Sequence, residues 1–108
     1  MKKLFISSDH AGYSLKELIK KKFKNKYSFH DLGTDSSKDT VNYPDYAHKL
    51  CKKVAKNSKN IGILVCGSGM GMSMAANRHK KIRAAVCYST KNTKLSRLHN
   101  NANIITLG

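Results

Sequence analysis

The apolar positions change period along the chain, alternating short unbroken runs with stretches spaced for a helix. Leu4 to Ser8 reads as a first buried strand, ending at Asp9 and His10. From about Tyr13, the positions Leu15, Leu18, Ile19 and Phe23 follow helical spacing. Lys16, Lys20, Lys21, Lys22 and Lys24 lie around them and read as the solvated side of that helix. Tyr27 to His30 is a weaker strand closed by Asp31 to Thr34, and Ser36 to Asn42 is a polar loop. Pro44 marks a helix start, because its missing N–H is not needed in the first turn. Tyr46, Ala47, Leu50, Cys51, Val54 and Ala55 give that helix its stripe, and Asn57 to Asn60 end it.

Ile61, Ile63, Leu64 and Val65 form the most apolar run, which predicts a strand covered on both faces. Cys66 ends it, Gly67, Gly69 and Gly71 follow, and a helix begins at about Met70 with Met72, Met74, Ala75 and Ala76 for packing. Ile82 to Cys87 reads as a fourth strand. Ser89 is placed to cap a short helix carrying Leu95 and Leu98, and Asn103 to Leu107 is a fifth strand. This alternation predicts a doubly wound, Rossmann-like α/β fold: a five-stranded parallel sheet with helices on both faces, one domain over residues 1–108. Ligands of such sheets bind beyond the carboxyl ends of the strands. On this reading Asp9, His10, Cys66 to Gly71, and the His99–Asn100 pair before the fifth strand gather on one edge.

Charge adds a question more than an answer. All six acidic residues lie at or before Asp45, whereas 12 of the 21 basic residues follow it, within a net charge of +15. Such a field attracts nucleic acid or steers a phosphorylated metabolite. With 18 of the basic residues Lys and three Arg, compositional drift accounts for the field as well, and nucleic acid is not the expected partner. No apolar run reaches 18 residues, so no membrane helix is expected, and the apolar part of the N-terminus is too short for a signal peptide. The three cysteines, Cys51, Cys66 and Cys87, form neither a disulfide framework nor a zinc set, and a cytoplasmic protein is expected.

A strand, a glycine-rich turn and a helix start make a place for an anion, and the cysteine heading the turn adds reactivity. Familiar phosphate loops do not fit. A dinucleotide fingerprint needs glycine where Met72 stands, and a P-loop needs Gly-Lys-Ser/Thr where Gly71-Met72-Ser73 stands. A cysteine-phosphatase loop needs arginine at Met72. Each candidate also has a plainer reading: Cys66 as a small core residue, Asp9 as a helix cap, His99 as cover for a helix end, and Tyr43 as loop packing.

SDHAG at 8–12, the Tyr43-Pro44 pair, LVCGSGMGMSMAANR at 64–78, IRAAVC at 82–87 and LSRLHNNANIITLG at 95–108 resemble the B-type ribose-5-phosphate isomerases. That family also includes galactose-6-phosphate and allose-6-phosphate isomerases, and the resemblance runs over the whole chain. It implies aldose–ketose isomerisation of a sugar phosphate through a cis-enediolate, without metal or cofactor. The substrate pair expected is ribose 5-phosphate and ribulose 5-phosphate, in the non-oxidative pentose phosphate pathway.

The resemblance further implies that Cys66 is the base and that His99 protonates the sugar ring for opening. Asp9, His10 and Tyr43 would bind substrate, with Gly67, Ser68, Gly69, Met70, Gly71 and Asn100 around the enediolate. It implies a homodimer or homotetramer with shared sites. It also implies a C-terminal segment past Gly108 that carries phosphate-binding arginines and covers one sheet face. Those arginines have no counterpart in this sequence, so an open apolar face is expected. Pentose and hexose phosphates are not distinguished by any spacing here. The alternative is a non-catalytic sugar-phosphate or nucleic-acid binding module on the same fold.

Overall fold

The structure, a computed structural model, describes all 108 residues. Five strands and four helices alternate: β1 (Lys2–Ser8), α1 (Tyr13–Lys22), β2 (Tyr27–Asp31), α2 (Tyr43–Val54), β3 (Gly62–Val65), α3 (Met70–Ala76), β4 (Ala84–Val86), α4 (Thr90–Asn100) and β5 (Ile104–Leu107). Every ladder is parallel, in the order β2-β1-β3-β5-β4. The chain winds outward from β1 to β2, then crosses back to β3 and onward. The order therefore reverses between β1 and β3, and the carboxyl ends of these strands are where ligands of such sheets bind.

Alternation along the strands divides the core between two sheet faces. Phe5, Leu64 and Ile104 face α2 and α3, meeting Ala47, Leu50, Cys51, Val54, Met72, Ala75 and Ala76. Leu4, Ile6, Ile63 and Val65 face the other way, toward Leu15 and Ile19 of α1. Leu50 and Leu64 are fully buried, and burial of such a side chain contributes about 1.5–3 kcal/mol. On the α1 side an apolar groove of about 460 Å³ stays open, with Leu4, Ile63 and Ile105 as its floor and Ile19 and Arg97 on its walls.

Ser89 caps α4 as its sequence predicts, in a reciprocal box with Asn92. The fourth strand is shorter than expected, because Asn103 and Asn77 side chains take the N–H groups of Arg83 and Ala84. Four apolar positions assigned to packing are exposed instead: Leu18, Met74, Leu95 and Leu98. Helical spacing marks a stripe, but nothing in the chain packs over these parts of α1, α3 and α4. Lys16 departs in the opposite sense. It is fully buried, where the lysine run read as solvated. Its ammonium donates to both Asp31 oxygens, at 2.8 and 2.7 Å, and to the Thr34 carbonyl at 2.9 Å. No helix of the chain is long and apolar enough to cross a membrane.

Candidate active site

The turns after β1 and β3 meet at the point where the strand order reverses. The Asp9 N–H donates to the Val65 carbonyl at 3.2 Å, fixing the start of the first turn against the end of β3. Gly12 permits this approach. A Cβ there would stand 2.4 Å from the Val65 oxygen, so any other residue would push the turn away. Asp9 Oδ1 accepts the Gly12 N–H at 2.9 Å, which holds the turn ahead of α1. Asp9 is buried but its second oxygen is left without a protein donor, so one half of the carboxylate supports structure and the other is available.

Cys66 stands at the head of the second turn, its N–H bonded to the Leu107 carbonyl at 3.1 Å and its side chain buried. The Gly69 N–H donates to Cys66 Sγ at 3.1 Å, a contact that a thiolate accepts better than a thiol. Gly69 has φ +80°, and a Cβ on it would meet Leu107 backbone atoms at 3.1 Å. The turn folds back on its own cysteine because this position is glycine. The N–H of Met70 goes to Ser68 Oγ at 3.2 Å. Of the five N–H groups from Gly67 to Gly71, two are thus used within the loop. Those of Gly67, Ser68 and Gly71 have no protein partner.

Two further residues close on this loop. The Tyr43 ring lies against Gly71, where a Cβ would come within 2.8 Å of it, so α2 presents its first residue to the loop. His10 Nδ1 accepts the Val41 N–H at 3.2 Å, which leaves Nε2 to carry the ring proton in the neutral form. Asp9, His10 and Cys66 to Gly71 therefore share one edge, as expected, and Tyr43 joins them there. No three His, Cys, Asp or Glu side chains converge as a metal ligand set.

His99 and Asn100 do not join them, and the single-edge expectation is corrected for this pair. They end α4, immediately before β5. In a parallel sheet the segment preceding a strand lies at its amino end. The 11 residues of α4, at about 1.5 Å each, carry the chain roughly 16 Å away from the carboxyl edge. Asn100 sits there with Arg83, whose Nε donates to its carbonyl, and both His99 and Asn100 are exposed.

Other features near the site escaped the sequence. The signal for Gly12 was its place in SDHAG, and Val41 carried none, since it acts through its main chain. Lys16 lies under the first turn; burial alone would raise the Asp31 pKa, but hydrogen bonds from Lys16, Lys20 and the Gly33 N–H outweigh it and hold it below the ordinary carboxylate value. His48 and His79, which carried no site signal, are hydrogen-bonded at 2.7 Å between α2 and the turn after α3. Desolvation, then His48 and Lys52, lower the His79 pKa. Burial pushes the Cys51 thiol up to about 12, consistent with an inert core cysteine.

The family model described as Ribose/Galactose Isomerase matches residues 4–108. The chain is 44% identical over 106 residues to a probable ribose-5-phosphate isomerase B of Mycoplasma genitalium, covering 96% of this chain and 70% of that relative. It is 40% identical to ribose-5-phosphate isomerase B of Escherichia coli, covering 100% of this chain and 72% of the relative. Among solved structures, the ribose 5-phosphate isomerase of Thermotoga maritima superposes with a TM-score of 0.93 at 47% identity, over 98% of this chain and 73% of that one. The Mycoplasma genitalium enzyme solved with bound ribulose-5-phosphate gives 0.90 at 43%, over 95% and 69%. The chain belongs to the ribose/galactose isomerase family.

Proposed function

We propose that the chain interconverts a phosphorylated aldose and its ketose, with ribose 5-phosphate and ribulose 5-phosphate as the pair, and with Cys66 as the base. The observation that carries this is the position of Cys66 Sγ, bonded to the Gly69 N–H where the strand order reverses between β1 and β3, beside the unpartnered N–H groups of Gly67 and Ser68. A thiolate there takes the proton from the carbon next to the carbonyl. The enediolate that forms places its charge on oxygen, where fixed N–H donors stabilise it most. The thiol then returns the proton to the neighbouring carbon. The free oxygen of Asp9 shuttles the hydroxyl proton between the two oxygens, while His10 and Tyr43 bound the sugar. The relative solved with ribulose-5-phosphate supports this choice of substrate.

His99 and Asn100 serve the site of a second copy. One chain cannot bring them to its own Cys66, whereas a two-fold dimer sets the C-terminal end of α4 of each chain against the Cys66 loop of the other. His99 then protonates the ring oxygen of the partner's substrate, and Asn100 flanks it. The assembly is a homodimer, or a tetramer built from two. Three free thiols suit a reducing cytoplasm.

Mixing two inactive variants tests the chemistry and the sharing together. Cys66→Ala and His99→Asn each lose ring-substrate turnover alone. Mixed one to one with subunit exchange, they recover about a quarter of the wild-type rate, because half the dimers carry one site with both residues intact. No recovery means base and acid come from the same chain. Wild-type solvent-proton exchange in Cys66→Ala means another residue is the base.

A further inference from the structure

At the amino edge, remote from Cys66, the connections α2–β3, α3–β4 and α4–β5 enclose a cleft of about 680 Å³. Lys2, Lys56, Lys59, Lys81, Arg83 and Arg97 line it, and no Asp or Glu does. The acidic residues of the chain all lie at or before Asp45, none of them in these connections, so the charge here is uncompensated. The C-termini of α2, α3 and α4 point this way, and each carries roughly half a negative charge, about one and a half in total against six positive side chains. Helix dipoles therefore account for a minor part of the cluster.

Two of the six are held in place. Arg83 Nε donates to the Asn100 carbonyl, and Arg97 Nη1 donates to the Ala102 carbonyl. Each guanidinium keeps further N–H groups able to grip a phosphate two at a time, which flexible lysines cannot do by themselves. Asn57, Ser58 and Asn101 supply neutral polar contacts between them. No aromatic side chain lines the cleft, so a single-stranded nucleic acid finds no surface on which to stack its bases. The volume is that of a small-molecule site.

We propose that this cleft binds a compact anion bearing two or more phosphate groups, a nucleoside triphosphate or inorganic polyphosphate, at a site at the opposite sheet edge from the Cys66 loop of the same chain. Concavity, fixed guanidinium groups and absence of acids favour concentrated charge over an extended strand.

Titration calorimetry on the full chain tests this with tripolyphosphate, adenosine triphosphate, orthophosphate and a short single-stranded oligonucleotide. Tripolyphosphate is expected to bind about tenfold more tightly than orthophosphate. Combined Lys56→Gln, Lys59→Gln and Lys81→Gln changes, all at exposed positions, weaken it about tenfold or more. The matched control Lys21→Gln, Lys22→Gln and Lys24→Gln, at the end of α1 and in the turn after it, removes equal charge and changes it less than about twofold. By NMR the Arg83 and Arg97 Nε–H signals move on binding, while the Gly67 and Gly69 amides do not. Adenosine triphosphate binding more tightly than tripolyphosphate assigns a nucleotide; equal binding assigns the phosphates alone. Three outcomes overturn the proposal: equal weakening in both triple variants, shifts confined to Gly67 and Gly69, or oligonucleotide binding tighter per phosphate than tripolyphosphate.

Discussion

The Lys16 ammonium, enclosed beneath α1, lies 2.7 Å from the nearer Asp31 oxygen and joins the first helix to the end of β2. Lys16→Ala leaves that carboxylate half-paired and opens a void. The expected loss is about 2–3 kcal/mol, at the low side for a broken buried pair because Lys20 still reaches Asp31 at 2.6 Å. Lys16→Met, which keeps the volume, loses less. Urea unfolding of the two variants gives both numbers, and equal losses would show that volume is irrelevant here.

The same carboxylate makes stability depend on acid. The folded-state pKa of Asp31 lies below its unfolded value, so its contribution is complete above the ordinary carboxylate range near 4 and falls away as pH drops through the folded value. Asp31→Asn is expected to remove that part of the acid dependence and to be less stable at neutral pH. Urea midpoints from pH 7 to 2.5 in both proteins measure it.

His79 titrates in a different window. Its folded pKa is lowered, so the neutral form is the one that folding favours. Its contribution is present above about 6.5 and declines as pH falls toward the folded value. Between pH 7.5 and 5.5 the wild-type Tm is expected to fall, and His79→Asn to fall less. Parallel melting curves for the two proteins would remove His79 as the cause.

Gly69→Ala is expected to damage chemistry more than its size implies. A left-handed φ costs a non-glycine residue about 1–2 kcal/mol, and the added methyl meets Leu107 backbone. Relieving that contact moves the N–H that addresses Cys66, and a shift of about 1 Å at a reacting group costs on the order of a hundredfold in kcat. Gly67→Ala, whose Cβ meets only Ala11 at 3.9 Å, is expected to stay within about 1 kcal/mol in stability. Chemical unfolding and steady-state rates on both variants check the contrast.

Alkylation separates the thiols. Cys51 is fully buried with its pKa near 12, and is expected to survive iodoacetamide at pH 7.5 in the folded protein. Cys66, which heads the glycine turn and accepts the Gly69 N–H, is expected to react before Cys51, with loss of activity in step. Peptide mapping that found Cys51 modified before Cys66 would overturn this.

Much of this architecture was legible because local and global signals agree. The nearly unbroken apolar run from Ile61 to Val65 needs cover on both faces, and the alternation of strands with helices supplies it. The cysteine and glycines after β3 announce their turn through backbone requirements that hold in any context. Lys16 was not legible in this way. Its helical position says only which side it occupies, and its partners Asp31 and Thr34 come from a segment 15 and 18 residues on. Leu18 and Leu98 fail for the converse reason, since spacing does not tell whether a neighbour covers the stripe. The edge occupied by His99 follows from chain order alone: a residue that precedes a parallel strand sits at its amino end.

The direction of α4 sets the kinetic order of the proposed reaction. With Cys66 as the proposed base and His99 as the proposed acid, the two stand at opposite ends of one sheet, so on this proposal a solitary chain has the parts for a site and no complete one. Rate per chain then ceases to be a constant of the molecule. It climbs with protein concentration through the dissociation constant of the pair and levels off above it, and dilution becomes a form of inhibition.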